Sequence, residues 1–154
     1  MGTIADTGQK DRTSCGYYAG YVVYLVNTFG YSPGLSISHA EVAAKREGFR
    51  RGNMETLSEH DAPGYLAYLG VATGYKMNNP LLISNVKQKV VKALWSGKAM
   101  MWGDHSHWYA LVAISLSKDT IVIYDPAGQQ GFLNTVALRF VDSAPYLVHP
   151  AWMT

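Results

Sequence analysis

The sequence predicts an α+β fold in which helices come first and an antiparallel sheet follows. Three observations carry this expectation. Up to about residue 97, apolar residues recur at helical spacing between cap signals, as in "SNVKQKVVKALW". From residue 99 the pattern changes to short apolar runs rich in β-branched and aromatic residues: "AMMWG", "HWYALVAISL" and "TIVIYDP". The second and third runs are separated only by "SKD", which reads as a hairpin turn, and helices first with antiparallel strands later is the α+β pattern.

The elements follow in chain order. Residues 15–28 are small, aromatic and β-branched, and end at Asn27, Thr28 and Gly30. The β-branched content would allow a strand, but the length and near-continuous apolar surface favour a buried helix. Tyr17, Tyr18, Tyr21 and Tyr24 along it read as packing residues. "SHAEVAAKREGF" places Ser38 three residues before Glu41, a capping box opening a helix that ends near Gly48. Residues 64–71 follow Pro63 and form a short helix closed by Gly70. The next helix has Ser84 as its expected cap and Gly97 as its stop, with Val86, Val90, Val91, Leu94 and Trp95 on its core face. Strands are expected at 99–103, 107–116 and 120–126, and "VALRFVD" and "PYLVHP" add one or two more. The chain reads as a single domain over 1–154, helical over about 9–97 and sheet-forming over about 98–150. Residues 30–83 match no motif.

Composition narrows the class. The chain has 154 residues, 48% hydrophobic and 16% charged, enough for one sizeable core with little charged surface. A net charge of +2, with no basic cluster beyond a local pair such as Arg50–Arg51, gives no support for a nucleic-acid or membrane partner. The first dozen residues are polar, so no signal peptide is expected. That fits a cytoplasmic protein, or one exported by a specialised secretion system.

The lone cysteine, Cys15, lies where a polar loop gives way to the first helix. It cannot form an internal disulfide. It is either a small core residue or a nucleophile whose thiolate is stabilised by a helix N-terminus and a nearby imidazolium. Gly16 beside it would let a substrate backbone approach. Of the five histidines, His39 and His60 read as surface residues, and His149 sits in the C-terminal tail without an evident partner. His105 belongs to "DHSH", where a metal reading fails for want of a third ligand, so no metal is expected. His107 opens the most apolar strand, a rigid place for a base. If 107–116 and 120–126 pair through the turn, Asp125 lies beside His107 and could orient the ring, although "DPAG" is also an ordinary turn sequence. Gln9 could join the Cys15 backbone N–H as an oxyanion donor. Trp108 and Tyr109 could line a cleft, whereas Trp102 is expected in the core.

Gln9, Cys15, His107 and Asp125, in that order, resemble the papain-like cysteine peptidase superfamily. "QKDRTSCGYYA", "VVKALWSGKAMMWGDHSHWYALVAI" and "TIVIYDPAGQQG" are most similar in look to its bacteriocin-processing, double-glycine peptidase domains. The resemblance implies a papain-like fold and a reaction that needs no cofactor. It makes Cys15 the nucleophile, His107 the general base and acid, Asp125 the orienter and Gln9 an oxyanion donor, with a thioester intermediate. The chain departs from that family at Ser14, at Trp108–Tyr109, and in lacking transporter segments. A standalone domain of this kind suggests a secreted bacterial effector or toxin acting on a protein or peptide, with a cognate immunity or carrier protein. Glutamine deamidation, transglutamination and cell-wall peptide cleavage remain open on the same triad, as does a non-catalytic peptide-binding module.

Overall fold

The computed structural model describes residues 2–50 and 55–154. Arg51 of the basic pair lies outside them, and Arg50 is held by Glu47 at 2.9 Å. Helix α1 (Cys15–Phe29) is followed by α2 (His39–Phe49), α3 (Ala62–Leu69) and α4 (Val86–Trp95). Six strands build one antiparallel sheet in the order β3-β8-β4-β5-β6-β7. They are β3 (Tyr75–Asn78), β4 (Met100–Gly103), β5 (Trp108–Ile114), β6 (Thr120–Tyr124), β7 (Leu133–Ala137) and β8 (Tyr146–Pro150). Two short strands, β1 (Gly2–Thr3) and β2 (Ser36–Ile37), pair by themselves.

The sheet separates two cores. On one face α1, α2 and α3 pack around Tyr17, Val22, Tyr65 and Leu66; on the other, α4 and a 3₁₀ turn at Leu138–Ser143 pack around Val90, Leu94, Leu111 and Val141. Strand alternation divides β5 between them: Trp108, Ala110 and Val112 face α1, while Tyr109 and Leu111 face α4. Helix α1 is the central element, with 11 of its 15 residues buried, which explains why its sequence is apolar on every side. Tyr17, Tyr18 and Tyr21 are buried, and the Tyr17 ring meets Tyr65 edge-on at 5.2 Å. Trp102 stands in the second core, stacked on Phe140 at 4.5 Å.

Local signals mark most helix ends. Ser38 accepts a hydrogen bond from the Glu41 backbone N–H, and Gly70 closes α3 in the left-handed region. Four expectations are corrected. Asn85, not Ser84, precedes α4; it adopts φ 52°, a left-handed conformation that asparagine tolerates. Trp95 is 57% exposed rather than in the core, because the inward stripe of α4 runs through Val90, Ala93 and Leu94. "VALRFVD" is mostly the 3₁₀ turn at 138–143; the strand there begins earlier, at Leu133. His149 is fully buried in β8: its Nδ1 donates to the Pro150 carbonyl and its Nε2 accepts from Asn78. Burial therefore pushes its pKa down. Among the described residues no helix is long and apolar enough to cross a membrane.

Gly103 ends β4 under the indole of Trp108. A Cβ there would lie 2.5 Å from Trp108 Cε3, and the ring is pinned by a hydrogen bond from its Nε1 to the Leu57 carbonyl. Gly103→Ala is expected to cost about 1–3 kcal/mol by overpacking. Thermal unfolding should show a fall in Tm of roughly 3–10 °C; an unchanged Tm would mean that the indole moves aside freely.

Candidate active site

The β5–β6 hairpin brings a histidine and a carboxylate together. Its register pairs Ala110 with Tyr124, so the start of β5 lies beside the end of β6. His107 stands immediately before β5 and Asp125 immediately after β6. Their side chains meet with His107 Nε2 donating to Asp125 Oδ1 at 2.8 Å. Asp125 is only 8% exposed, and the same oxygen accepts from the Ala127 backbone N–H at 2.9 Å. The "DPAG" segment is thus a turn as well, closed by Gly128 N–H to the Asp125 carbonyl, with Gly128 at φ +65°. The turn fixes the carboxylate, and the carboxylate fixes the tautomer and orientation of the ring.

Cys15 is the first residue of α1 and is buried. Ser14 precedes the helix without capping it; its hydroxyl donates to the Asp11 carbonyl instead. The first-turn N–H groups therefore remain directed toward the cysteine end. Cys15 and His107 line the same cleft, and with His107 Nε2 committed to Asp125, Nδ1 is the nitrogen left for the sulfur. Burial opposes the charged imidazole. The hydrogen bonds and charges of Cys15 and Asp125 outweigh it and hold the His107 pKa above its ordinary value. Cys15, His107 and Trp108 line a cleft of about 220 Å³, with Thr56, Leu57 and Ser58 along another wall.

The remaining candidates are placed differently from one another. Trp108 lines the cleft, but it is buried and packs under α1. Tyr109, expected in the cleft, is not among its lining residues. It faces the α4 side, and its ring stands edge-on to His107 at 4.7 Å, buttressing the imidazole. Gly16 gives room to the protein rather than to a substrate, since a Cβ would come within 2.7 Å of Leu57 Cβ and 2.9 Å of Trp108 Cδ1. Gln9 lies beside the Asp125 turn, its backbone N–H bound to the Pro126 carbonyl at 2.8 Å. Its Nε2 donates to the Asp11 carbonyl at 2.7 Å, while its Oε1 is buried with no partner among the described residues. It is not among the residues lining the cleft.

His39 is half-buried, its Nδ1 hydrogen-bonded to the Tyr18 hydroxyl, so it is not a simple surface residue. His60 is exposed. In "DHSH" the Asp104 carboxylate accepts from Ser106 N–H, Ser106 hydroxyl and His107 N–H, forming the turn that delivers His107 to the strand. Among the described residues no three His, Cys, Asp or Glu side chains converge as metal ligands. The wall at 56–58 escaped sequence reading, because it has no periodicity; the Trp108–Leu57 hydrogen bond that holds it joins positions 51 residues apart.

The raised His107 pKa sets a sign for stability. The folded state binds the proton more tightly than the unfolded chain, whose His titrates near 6.5. The contribution is therefore fully present below about pH 6.5 and lost as pH rises through the higher folded value. Urea unfolding of wild type and His107→Gln should show a stability difference that shrinks as pH is raised from about 6 to 8.5. A difference that grows over that range would reverse the assignment. Comparing the two proteins removes the opposing contribution of His149.

No protein-family model matches the sequence, and no curated protein matches it. Among solved structures the chain is similar to UfSP from C. elegans, with a TM-score of 0.50 and 12% sequence identity over 95% of this chain. It spans about a third of that protein, 32% of its length. At this identity the likeness is one of fold, and it agrees with the architecture described above: an α+β, papain-like fold with the cysteine on the N-terminal helix and an antiparallel sheet behind it.

Proposed function

We propose that this chain is a papain-like cysteine peptidase that cleaves an amide bond of a protein or peptide. The observation that carries the reading is the arrangement at the cleft: Cys15 at the start of α1 shares it with a His107 whose Nε2 is held by buried Asp125 at 2.8 Å. Cys15 acts as nucleophile, His107 as base and then acid, and Asp125 as the group that orients the ring.

The chemistry follows from these positions. Proton transfer from Cys15 to His107 Nδ1 gives a thiolate and an imidazolium. The sulfur attacks the carbonyl carbon, and the C=O electron pair moves to oxygen. The Cys15 backbone N–H and the second N–H of the Gln9 carboxamide, whose first is bound to Asp11, are the donors proposed for that oxyanion. Collapse breaks the C–N bond, and the imidazolium protonates the departing amine. The acyl group is left as a thioester on Cys15. Neutral His107 then takes a proton from water, which attacks the thioester and releases a carboxylic acid and free enzyme.

The test is alkylation of Cys15 by iodoacetamide against pH, in wild type and His107→Ala. The wild type should react readily near pH 6, where an ordinary free thiol is almost wholly protonated, and the variant should lose that low-pH reactivity. Equal rates in the two proteins would overturn the reading. With peptide substrates, Cys15→Ser should lower kcat/KM by about 10³-fold or more. Release of ammonia from glutamine side chains without chain cleavage would place a deamidase on the same residues.

A further inference from the structure

We propose that Arg46 is the positioning residue that sets the width of the cleft at Cys15. The proposal rests on the reading of Cys15 and His107 as the reactive pair. Arg46 projects from α2, outside the triad, and its side chain is only 13% exposed. Its guanidinium reaches three separate pieces of chain. Nη1 donates to Asp11 Oδ2 at 3.2 Å; Nη2 donates to Thr13 Oγ1 at 2.9 Å and to the Glu55 carbonyl at 2.5 Å. Its central carbon lies 4.9 Å from the centre of the Tyr17 ring, on α1.

Each contact leads to the site. Asp11 is the node of the loop that delivers the nucleophile. Its carboxylate accepts from the Thr13 N–H and hydroxyl, and its carbonyl accepts from the Gln9 carboxamide and the Ser14 hydroxyl. Gln9 is the proposed oxyanion donor, and Ser14 precedes Cys15. Glu55 opens the segment that supplies the other cleft wall at Thr56, Leu57 and Ser58. Arg46 therefore ties the nucleophile's loop to the opposing wall across one planar group. Lysine has a single point of charge and cannot span the same acceptors. The triad's other half, His107 with Asp125, is built by the hairpin and does not touch Arg46, so cleft width and proton chemistry are set by different parts of the chain.

That separation yields a test that a merely stabilising arginine would not satisfy. Second-order alkylation rates of Cys15 are measured with iodoacetamide and with a bulky fluorescein maleimide, for wild type, Arg46→Lys and Arg46→Gln. Measurements are made well below each Tm, with folding verified by near-ultraviolet circular dichroism. In Arg46→Gln the ratio of bulky to small reagent rates should rise by about fivefold, as the wall is freed to open locally. The midpoint of the pH profile should stay in place. Arg46→Lys retains the ion pair with Asp11 and should fall between. If Arg46→Gln does not fold, Thr13→Val removes the hydroxyl's bonds to Arg46 and Asp11 and must raise the ratio in the same direction. An unchanged ratio in a folded variant, or both reagents accelerated equally, would overturn the proposal. The peptidase reading fails separately, by a wild-type pH profile that His107→Ala leaves unaltered, and the reagent ratio still decides the role of Arg46.

Discussion

The proton-handling half of the cleft depends on the register of one hairpin. β5 and β6 are joined by a tight turn with Lys118 at φ 63°, and an irregularity between Leu111 and Ala113 shifts their pairing by one residue before the far ends meet. A slip of one residue would exchange the two faces of β5, sending Trp108 toward α4 and Leu111 toward α1. Neither exchange is tolerable, because the two faces are packed by side chains of different size. The hydrophobic pattern therefore holds the register, and the register sets His107 against Asp125. A histidine and a carboxylate 18 residues apart become neighbours at no cost beyond that of the sheet itself.

The nucleophile is placed by a different means. Nothing near Cys15 in sequence fixes its distance from His107; α1 does so by being buried along its length against the sheet and α3. Close approach is permitted at glycines. Gly16 admits Leu57 and the Trp108 indole, and Gly20 admits the Tyr65 ring, where a Cβ would come within 2.8 Å. A larger residue at either would push the helix from the sheet and carry the thiol away from the imidazole. The glycines of α1 thus trade some helix propensity for a fixed distance across the site.

What was legible in the sequence follows the same division. The helices from 15 and 39, the one expected at 64–71 that begins two residues earlier at Ala62, the hairpin and the neighbourhood of His107 and Asp125 were readable, since each rests on a local signal: an apolar run, a cap, a turn or a two-residue period. What was not readable rests on contacts between distant positions. β3 is four residues long and becomes a strand only because β8 pairs with it, Tyr75 opposite Pro150. The Leu57 wall has no pattern at all, and the helix pattern around Arg46 does not reveal its contacts; both are defined by partners from elsewhere in the chain. Tyr109 stands outside the cleft lining for a subtler reason. It sits next to Trp108 in sequence, but alternation puts it on the opposite face, where it supports the ring of His107 instead of meeting a ligand.

Trp108 joins the two halves. Its backbone continues the strand that carries His107, its ring covers Gly103 of β4 and Gly16 of α1, and its indole N–H holds the Leu57 carbonyl in the cleft wall. One buried side chain thereby registers the sheet, the nucleophile's helix and the wall against one another. A smaller aromatic would keep the strand and the hairpin, and with them the His107–Asp125 pair, while releasing both Gly16 and Leu57. The proton-handling half of the site is thus robust to changes in packing, whereas the position of the sulfur is not. The geometry of the site is most sensitive where the chain must hold elements together that its local sequence does not connect.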